Sequence, residues 1–276
     1  MSKGQWDLAF ENSAYIPDSN KLLEVWTDNA EQYRAAALAN GRQLDLDIPY
    51  GEHHREFFDL VWPETTPKGL VVFVHGGYWL QFDKSYWTDL AEGVRANGWT
   101  VCVPSYTLTP EVRISDITIQ VSRAIVTAAK LVTGPIRLAG HSAGGHLVSR
   151  MACNDTTLPL EVLERIEHIV SISGLHDLRP LLNTKMNGTL RLDASEAARE
   201  STVLHTPVSD TSITAWVGGG ERPEFIRQSQ LLHIMWQGLD ANVNCILDEL
   251  HNHFSVIEGL KVPSSPITKE LLKTLS

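Results

Sequence analysis

The sequence predicts an α/β domain in which a mainly parallel central sheet is flanked by helices on both faces. Short apolar runs alternate with longer segments whose apolar residues recur at helical spacing, a pattern that favours strands joined by crossover helices. Several of the runs are rich in Val and Ile and are bounded by Gly, Pro or Asn, which is typical of buried strands. In such sheets the ligand site lies at the carboxyl ends of the strands, so functional residues are expected there.

The elements follow one another along a chain of 276 residues. Residues 18–40 predict a helix outside the sheet order, and residues 50–62, ending in FFDLVWP, predict an antiparallel strand or hairpin. Six further strands are expected at 70–75, 99–104, 135–140, 166–173, 213–218 and 242–249, with helices at 84–98, 121–132, 142–154 and 224–238. Residues 175–210 contain helical fragments without a clear strand, and such an excursion between strands is the natural place for a cap over the site. We therefore expect a single domain over 1–276 with a cap-like insertion at about 175–210 and an N-terminal helical segment at about 18–40.

Charge and cysteine usage exclude several classes of protein. The formal net charge of -10 argues against binding to nucleic acid or to an anionic membrane surface. No window approaches the roughly 18 apolar residues of a membrane span, and MSKGQWDLAFEN lacks the apolar core of a signal peptide. Cys102, Cys153 and Cys245 are widely spaced and odd in number, so a disulfide framework and a zinc knuckle are not expected. These features favour a cytoplasmic protein with a small-molecule partner.

The segment GHSAGGH, residues 140–146, places Ser142 between a predicted strand and a predicted helix. In a G-x-S-x-G turn the serine takes a strained conformation, and side chains at the two glycine positions would collide with the neighbouring strand and helix. Such a serine is exposed at a helix N-terminus, where the dipole and the N–H of Ala143 favour a developing negative charge. The pattern alone also fits a plain strand-to-helix turn, so the interpretation as a nucleophile depends on partners elsewhere in the chain.

The segment HGGYW follows the strand LVVFV. Two glycines at a strand end leave backbone N–H groups uncovered, and those of Gly77 and Tyr78, with that of Ala143, are expected to form an oxyanion hole. The alternative is a tight turn in which Tyr78 and Trp79 are core aromatics.

A serine nucleophile needs a base and an acid that orients the base. His253 follows the last strand and precedes an apolar helix start, and we prefer it to His251, two residues earlier. Glu221 follows the strand ITAWV; Glu224 falls in the first helical turn, where an acid complements the dipole, and Asp248 is a fallback at the tail of the last strand. The two histidines have no third ligand at a recognisable spacing, so a zinc site is not expected there. No metal or organic cofactor is required by this set of residues.

HGGYW, GHSAGGH, GGERPEFIRQS and NHF together resemble the α/β-hydrolase kynurenine formamidases, or arylformamidases, and the neighbouring hormone-sensitive-lipase-like esterases. The segments YTLTPE and DIPYGEHHREFFDLVWP extend the resemblance over about residues 45 to 260. It implies the α/β-hydrolase fold, with Ser142 as nucleophile, His253 as base and the HGG loop as oxyanion hole. The family usually has Asp where this chain has Glu221, and the extra methylene requires a slightly different backbone position. The implied reaction converts N-formylkynurenine to kynurenine and formate.

The sequence leaves the substrate and the assembly open. Tyr78, Trp79 and Phe82, with Trp87, are expected aromatic walls of the substrate pocket, although Phe82 and Trp87 also fit a helix face in the core. A carboxylesterase acting on short acyl esters is the first alternative, and a catalytically silent hydrolase fold used as a binding module is the second. The C-terminal segment PITKELLKTL offers a helical surface for a possible homodimer, or packs against its own chain.

Overall fold

A computed structural model describes residues 3 to 274, and it shows one eight-stranded sheet. Met1, Ser2, Leu275 and Ser276 lie outside the described residues. The strands are β1 (Leu44–Pro49), β2 (Phe57–Val61), β3 (Leu70–Val74), β4 (Thr100–Pro104), β5 (Ile136–His141), β6 (Ile166–Ile172), β7 (Ser212–Gly218) and β8 (Asn242–Asp248). Their order is β1-β2-β4-β3-β5-β6-β7-β8; β1 pairs with β2, and β2 with β4, in antiparallel fashion, and all other pairs are parallel.

Helices connect the strands and cover the sheet. The α-helices are α1 (Lys3–Phe10), α2 (Ser19–Ala39), α3 (Glu92–Ala96), α4 (Ile114–Leu131), α5 (Ala143–Arg150), α6 (Leu160–Leu163), α7 (Asn187–Leu190), α8 (Ala194–Arg199), α9 (Pro223–Gln237) and α10 (Pro266–Leu271). Short 3₁₀ turns occur at Ser13–Tyr15, Lys84–Tyr86, Thr88–Ala91, Arg179–Asn183, Thr202–Leu204 and Glu258–Lys261. None of the described helices is both long and apolar enough to cross a membrane.

The central strands are buried on both faces, as their continuous apolar runs predict. On β3, Leu70, Val72 and Val74 belong to a core that includes side chains of α4, α5 and α9, whereas Val71 and Phe73 belong to a second core with side chains of α2, α3 and α10. Successive side chains of a strand point to opposite faces, so the two cores lie on the two sides of the sheet. The predicted α/β-hydrolase arrangement is confirmed.

Individual elements differ from the sequence expectations in informative ways. Strand β1 was not expected, because its sequence LDLDIP carries two aspartates and half of its residues are exposed at the edge of the sheet. The helical pattern at 84–98 breaks into two 3₁₀ turns before the short helix α3. Helix α10 buries Ile267, Thr268 and Leu271, so the apolar face of the C-terminal segment packs against its own chain.

One edge of the sheet gathers the loops that form the candidate site. The parallel strands β3, β5, β7 and β8 all end at the same edge, so the loops that follow them converge there.

The three cysteines carry free thiols, and Cys102 and Cys153 are buried.

Candidate active site

Ser142 occupies a strained turn between β5 and α5. Its backbone has φ 57° and ψ -115°, a left-handed conformation that costs a non-glycine residue about 1–3 kcal/mol. A Cβ on Gly140 would lie 2.2 Å from the carbonyl oxygen of Gly144, and a Cβ on Gly144 would lie 1.9 Å from that of Val74. Both contacts are with backbone atoms, so the turn requires glycine on each side of the serine.

His253 lies in the loop after β8 and is held by the acid predicted for it. Its Nδ1–H donates to Oε2 of Glu221 at 2.6 Å, and both side chains are buried. Nε2 is on the opposite side of the ring, and His253 lines the same cavity as Ser142. The ring of Phe225 packs 4.4 Å from the imidazole, centroid to centroid. The ring orientation is therefore fixed by a charged hydrogen bond on one side and an aromatic contact on the other.

The backbone of His253 is also fixed. His141, directly before the serine, donates from Nε2 to the His253 carbonyl oxygen at 2.8 Å. Burial, with a smaller contribution from His253, holds the pKa of His141 well below its usual range, so this ring is neutral. It therefore links the β5 turn to the β8 loop without adding charge to the site.

The second carboxylate oxygen of Glu221 is occupied as well. Oε1 accepts the hydroxyl of Ser173 at 2.5 Å and the backbone N–H of Gly218 at 2.8 Å. Ser173 follows β6 directly and is fully buried. Three donors therefore hold this carboxylate, and three successive strands of the sheet contribute to its position.

The competing acids and histidine have other partners. Glu224 accepts two hydrogen bonds from Arg227, at 2.7 and 2.8 Å. Asp248 accepts from the indole N–H of Trp216 at 3.3 Å. His251 is 37% exposed at its side chain, and its Nδ1 contacts a serine hydroxyl in its own loop. Among the described residues, Glu221 is the one carboxylate in hydrogen-bonding contact with His253.

The loop after β3 turns sharply beside the serine. Gly77 has φ 101° and Tyr78 has φ 52°, and the N–H groups of residues 80 and 81 both donate to the Gly77 carbonyl oxygen. The N–H groups of Gly77, Tyr78 and Ala143 donate to no acceptor within the described part of the chain. Three backbone donors therefore remain without an acceptor in the loop after β3 and at the start of α5, where the sequence predicts an oxyanion hole.

A cavity of about 440 Å³ contains Ser142, His253, Gly77 and Tyr78. One wall is aromatic. Trp26 lies 5.9 Å from Phe82, 5.0 Å from Trp87 and 5.5 Å from Phe254, centroid to centroid, and all four residues line the cavity. The expected roles of Tyr78 and Phe82 as lining residues agree with this geometry. Neither Trp26 nor Phe254 is predicted from the sequence as a lining residue, because nothing in the local sequence indicates that α2 contacts the loop after β8.

Trp79 does not line this cavity, contrary to the sequence expectation. Its indole is fully buried in the core and lies edge-on to His146 at 5.2 Å. Its carbonyl oxygen accepts both the N–H and the hydroxyl of Thr109. At φ 60° the chain continues its left-handed turn from Tyr78, which sends this side chain beneath the loop. The alternative interpretation of a core aromatic is correct for Trp79.

The cover of the cavity comes mostly from the N-terminal segment, which we define as residues 10–26. It contributes eight lining residues: Phe10, Glu11, Asn12, Ser13, Ser19, Asn20, Leu23 and Trp26. The hydroxyl of Tyr78 donates to the Phe10 carbonyl oxygen at 2.5 Å and fastens this segment to the loop after β3. Of the insertion at 175–210, Met186 alone lines the cavity.

One group of described side chains could hold a metal ion, and it lies outside the cavity. It consists of His53, His54 and Glu111, whose ligand atoms all lie within 4.8 Å of one another. His54 and Glu111 are exposed, and His53 contacts Glu111 at 2.7 Å. No side chain of this group belongs to the arrangement around Ser142.

Known proteins match this chain over most of its length. The model of the BD-FAE family matches residues 58–223, more than half of the chain. The kynurenine formamidase of Salmo salar is 30% identical over 286 residues, covering 100% of this chain and 94% of that protein. The kynurenine formamidase of Danio rerio is 28% identical over 291 residues, with 100% and 97% coverage.

Solved structures show the same architecture. A crystal structure from Silicibacter sp. TM1040, whose assignment as a thioesterase is provisional, is 46% identical and superposes with a TM-score of 0.90 over 97% of this chain and 98% of that chain. Esterase B from Lactobacillus rhamnosis is 15% identical, with a TM-score of 0.67 over 90% and 92% of the two chains. At that identity the second likeness concerns the fold alone.

Proposed function

The chain belongs to the BD-FAE family and to the family of the kynurenine formamidases, and from this premise we propose that it hydrolyses small arylformamides such as N-formylkynurenine, giving kynurenine and formate. One observation carries the proposal. Ser142, a histidine held by a carboxylate, and the unoccupied N–H groups of Gly77 and Tyr78 belong to one cavity of about 440 Å³ that four aromatic side chains also line, and the unoccupied N–H of Ala143 directly follows the serine. The first three are the components of acyl transfer, and the aromatic wall suits an aryl leaving group.

The proposed cycle has two halves. In the first, Nε2 of His253 takes the hydroxyl proton as Ser142 attacks the formyl carbonyl, and the N–H groups of Gly77, Tyr78 and Ala143 stabilise the oxyanion. The C–N bond then breaks, and His253 gives its proton to the departing arylamine. In the second half, water attacks the formyl-serine and His253 takes one water proton. His253 then gives that proton to the Ser142 oxygen as the C–O bond breaks, and formic acid leaves and ionises to formate. Glu221 holds the Nδ1–H tautomer and stabilises the imidazolium, and it need not take the proton.

Each donor of the oxyanion hole is expected to stabilise the transition state by about 3 kcal/mol. The formyl group is the smallest acyl group, so a tight acyl site would discriminate against longer chains. A hydrophobic pocket rejects each added methylene by only about 1–3 kcal/mol. Selectivity for formyl over acetyl is therefore expected to be tens-fold rather than absolute.

The test is a substrate panel on the wild-type protein and on Ser142→Ala. We expect hydrolysis of N-formylkynurenine by the wild type, and a fall of about 1,000-fold or more in the variant with its fold retained. Ser229→Ala is the matched control, because that serine is buried and its hydroxyl has no partner among the described residues. A fluorophosphonate probe should label the wild type and not Ser142→Ala. Failure to label folded wild-type protein would favour the catalytically silent alternative.

Ester or thioester hydrolysis is the second candidate, and the 46% identity to the provisional thioesterase favours it. The same oxyanion hole and triad would serve either bond. The panel therefore includes p-nitrophenyl acetate and butyrate and a short acyl thioester. If one of these has a kcat/KM orders of magnitude above that of the formamide, the formamidase proposal is wrong and the second candidate replaces it.

We also propose a cytoplasmic location, which the three free cysteines support. Fractionation of the native host cells tests this, and recovery outside the cytoplasm would overturn it.

A further inference from the structure

The N-terminal wall of the cavity is polar and acidic, in contrast to the aromatic wall. Glu11, Asn12, Ser13, Ser19 and Asn20 contribute to it. The Glu11 carboxylate accepts one long hydrogen bond, from the Ala14 N–H at 3.3 Å, and forms no ion pair with any described residue. Its oxygens therefore keep most of their capacity to accept donors.

Asn12 provides a second, independent observation. The residue is 6% exposed, and it lines the cavity. Its side-chain amide does not cap the turn that follows it, and it forms no other hydrogen bond within residues 3 to 274. An unpaired amide on a cavity wall indicates that a ligand or water completes its hydrogen bonding.

Positive side chains are missing from this cavity. Within the described chain, no lysine or arginine lines it. The two nearest candidates on adjoining segments have other contacts: Arg222 stacks over the ring of Tyr15 at 3.7 Å, and Lys185 lies 3.9 Å from Asp7. Glu11 is thus the one charged side chain among the lining residues other than histidines.

The negative charge acts inside the site. Burial raises the pKa of the Tyr78 phenol well above its usual range, and the charges of Glu11, Glu221 and Glu224 raise it further. Among the described residues, the charges that act on this phenol are all negative. The electrostatic environment beside the oxyanion loop is therefore negative, which disfavours anionic ligands and favours cations.

The aromatic wall is compatible with the same preference. Trp26, Phe82 and Phe254 line the same cavity as Glu11 and Asn12, and the two phenylalanine rings each pack edge to face against Trp26. A cation near an aromatic face is attracted by the ring quadrupole. An aryl group and an ammonium group on one substrate could therefore be recognised together.

We propose that Glu11 and Asn12 form a subsite for a protonated primary amine carried by the leaving arylamine of the substrate. This inference rests on the proposed function and narrows it to formamides with a cationic side chain. The ammonium donates to the Glu11 carboxylate and to the Asn12 amide oxygen, and the formyl end reaches Ser142. Substrates whose leaving group is strongly anionic, such as thioesters of a phosphorylated carrier, are disfavoured by the same charge.

The experiment separates binding from turnover. Four formanilides are compared: the unsubstituted compound, one with an ortho amino-acid side chain as in N-formylkynurenine, its decarboxylated amine and its deaminated acid. Their Kd values are measured by calorimetry on Ser142→Ala, and their kcat and KM on otherwise wild-type protein. Each measurement is repeated with Glu11→Gln, with Glu11→Asp, and with Glu24→Gln, an exposed acid of α2 that does not line the cavity.

The amine should bind more tightly than the deaminated acid, and Glu11→Gln should weaken amine binding about 5-fold, the range for a partly exposed ion pair. The loss should appear in KM with kcat within about twofold, while formanilide is unaffected. Glu11→Asp should retain the preference, Glu24→Gln should change nothing, and salt raised from about 0.05 M to about 0.5 M should reduce it.

Two results overturn the inference: equal Kd values for the amine and the acid on Ser142→Ala, or an equal loss for all four compounds in Glu11→Gln. Absence of turnover for every formanilide would refute the proposed function instead. The charge preference would still be decided by the calorimetry.

Discussion

Ser173 offers a sharp test of how the proposed acid is held. Its hydroxyl donates to Oε1 of Glu221 at 2.5 Å, and its own N–H donates to the Trp216 carbonyl oxygen at 2.7 Å. The side chain does not line the cavity and its hydroxyl acts on Glu221, so it is a positioning residue. Ser173→Ala removes one hydroxyl and keeps the backbone contact.

The size of the effect follows from the bonds that remain. A hydrogen bond to a charged group contributes about 1.5–3 kcal/mol, and after the substitution Oε1 retains only the Gly218 N–H. For a domain of this size each kcal/mol lowers Tm by about 2–4 °C, so a fall of about 3–12 °C is expected. We expect kcat/KM to fall about 10-fold through kcat, because a mispositioned Glu221 affects the imidazole and not substrate binding.

The assay measures kcat and KM for the best substrate of the panel, with Tm by calorimetry. Ser229→Ala is the control, since it removes a buried hydroxyl that has no partner in the described chain and should leave Tm unchanged or raise it. A Ser173→Ala protein with lowered Tm and unchanged kcat would show that the contact is structural only. Unchanged Tm and kcat together would refute the reasoning from geometry altogether.

Three further predictions concern the scaffold and its pH dependence. Gly144→Ala would place a Cβ 1.9 Å from the Val74 carbonyl oxygen, so we expect protein that is largely unfolded or inactive by circular dichroism and assay; a folded, active variant would contradict this. Lys84→Met leaves the buried Asp59 without the partner it contacts at 2.7 Å and should lower the free energy of urea unfolding by about 3 kcal/mol, with Lys84→Met/Asp59→Leu recovering part of it. The pKa of Glu270 is lowered from 4.5 to about 2, and the largest cause is a hydrogen bond with a buried histidine. The stability that this provides is present above pH 4.5 and is lost as the pH falls toward 2. Between about pH 6 and pH 3 the free energy of unfolding should therefore fall less in Glu270→Gln than in the wild type, and equal falls would contradict the assignment.

The residues of the proposed triad could be selected from the sequence because they lie at strand ends. Ser142 follows β5 directly, Glu221 and His253 lie in the loops that follow β7 and β8, and in a parallel sheet those positions share one edge. Local patterns therefore sufficed to bring together residues that are far apart along the chain. The sequence alone does not decide between Glu221 and its neighbours Glu224 and Asp248, because that choice depends on the conformation of one loop, which the structure supplies.

The substrate wall could not be found in the same way. Trp26 lies on an amphipathic helix, and its sequence position indicates only a buried face, whereas its contacts with Phe82 and Phe254 depend on how α2 packs on distant loops. Trp79 shows the converse error. Its place in the HGGYW segment suggests the site, but two consecutive residues with positive φ direct the indole into the core. Side-chain direction in a left-handed turn does not follow the period of either helix or strand.

The positions of the proposed triad and of the substrate wall indicate which part of the chain determines substrate specificity. The sheet edge supplies the proposed nucleophile, base and acid from the ends of β5, β8 and β7, and none of these three side chains belongs to residues 10–26. The same residues 10–26, however, provide the acidic wall and Trp26, and they are fastened by the bond from Tyr78 to the Phe10 carbonyl oxygen. Tyr78 also presents one of the three unoccupied N–H groups beside Ser142. Tyr78 therefore joins the substrate wall to the proposed oxyanion hole. We expect exchanges within residues 10–26 that keep the contact with the Phe10 carbonyl oxygen to change substrate preference, and exchanges that break it to reduce turnover as well.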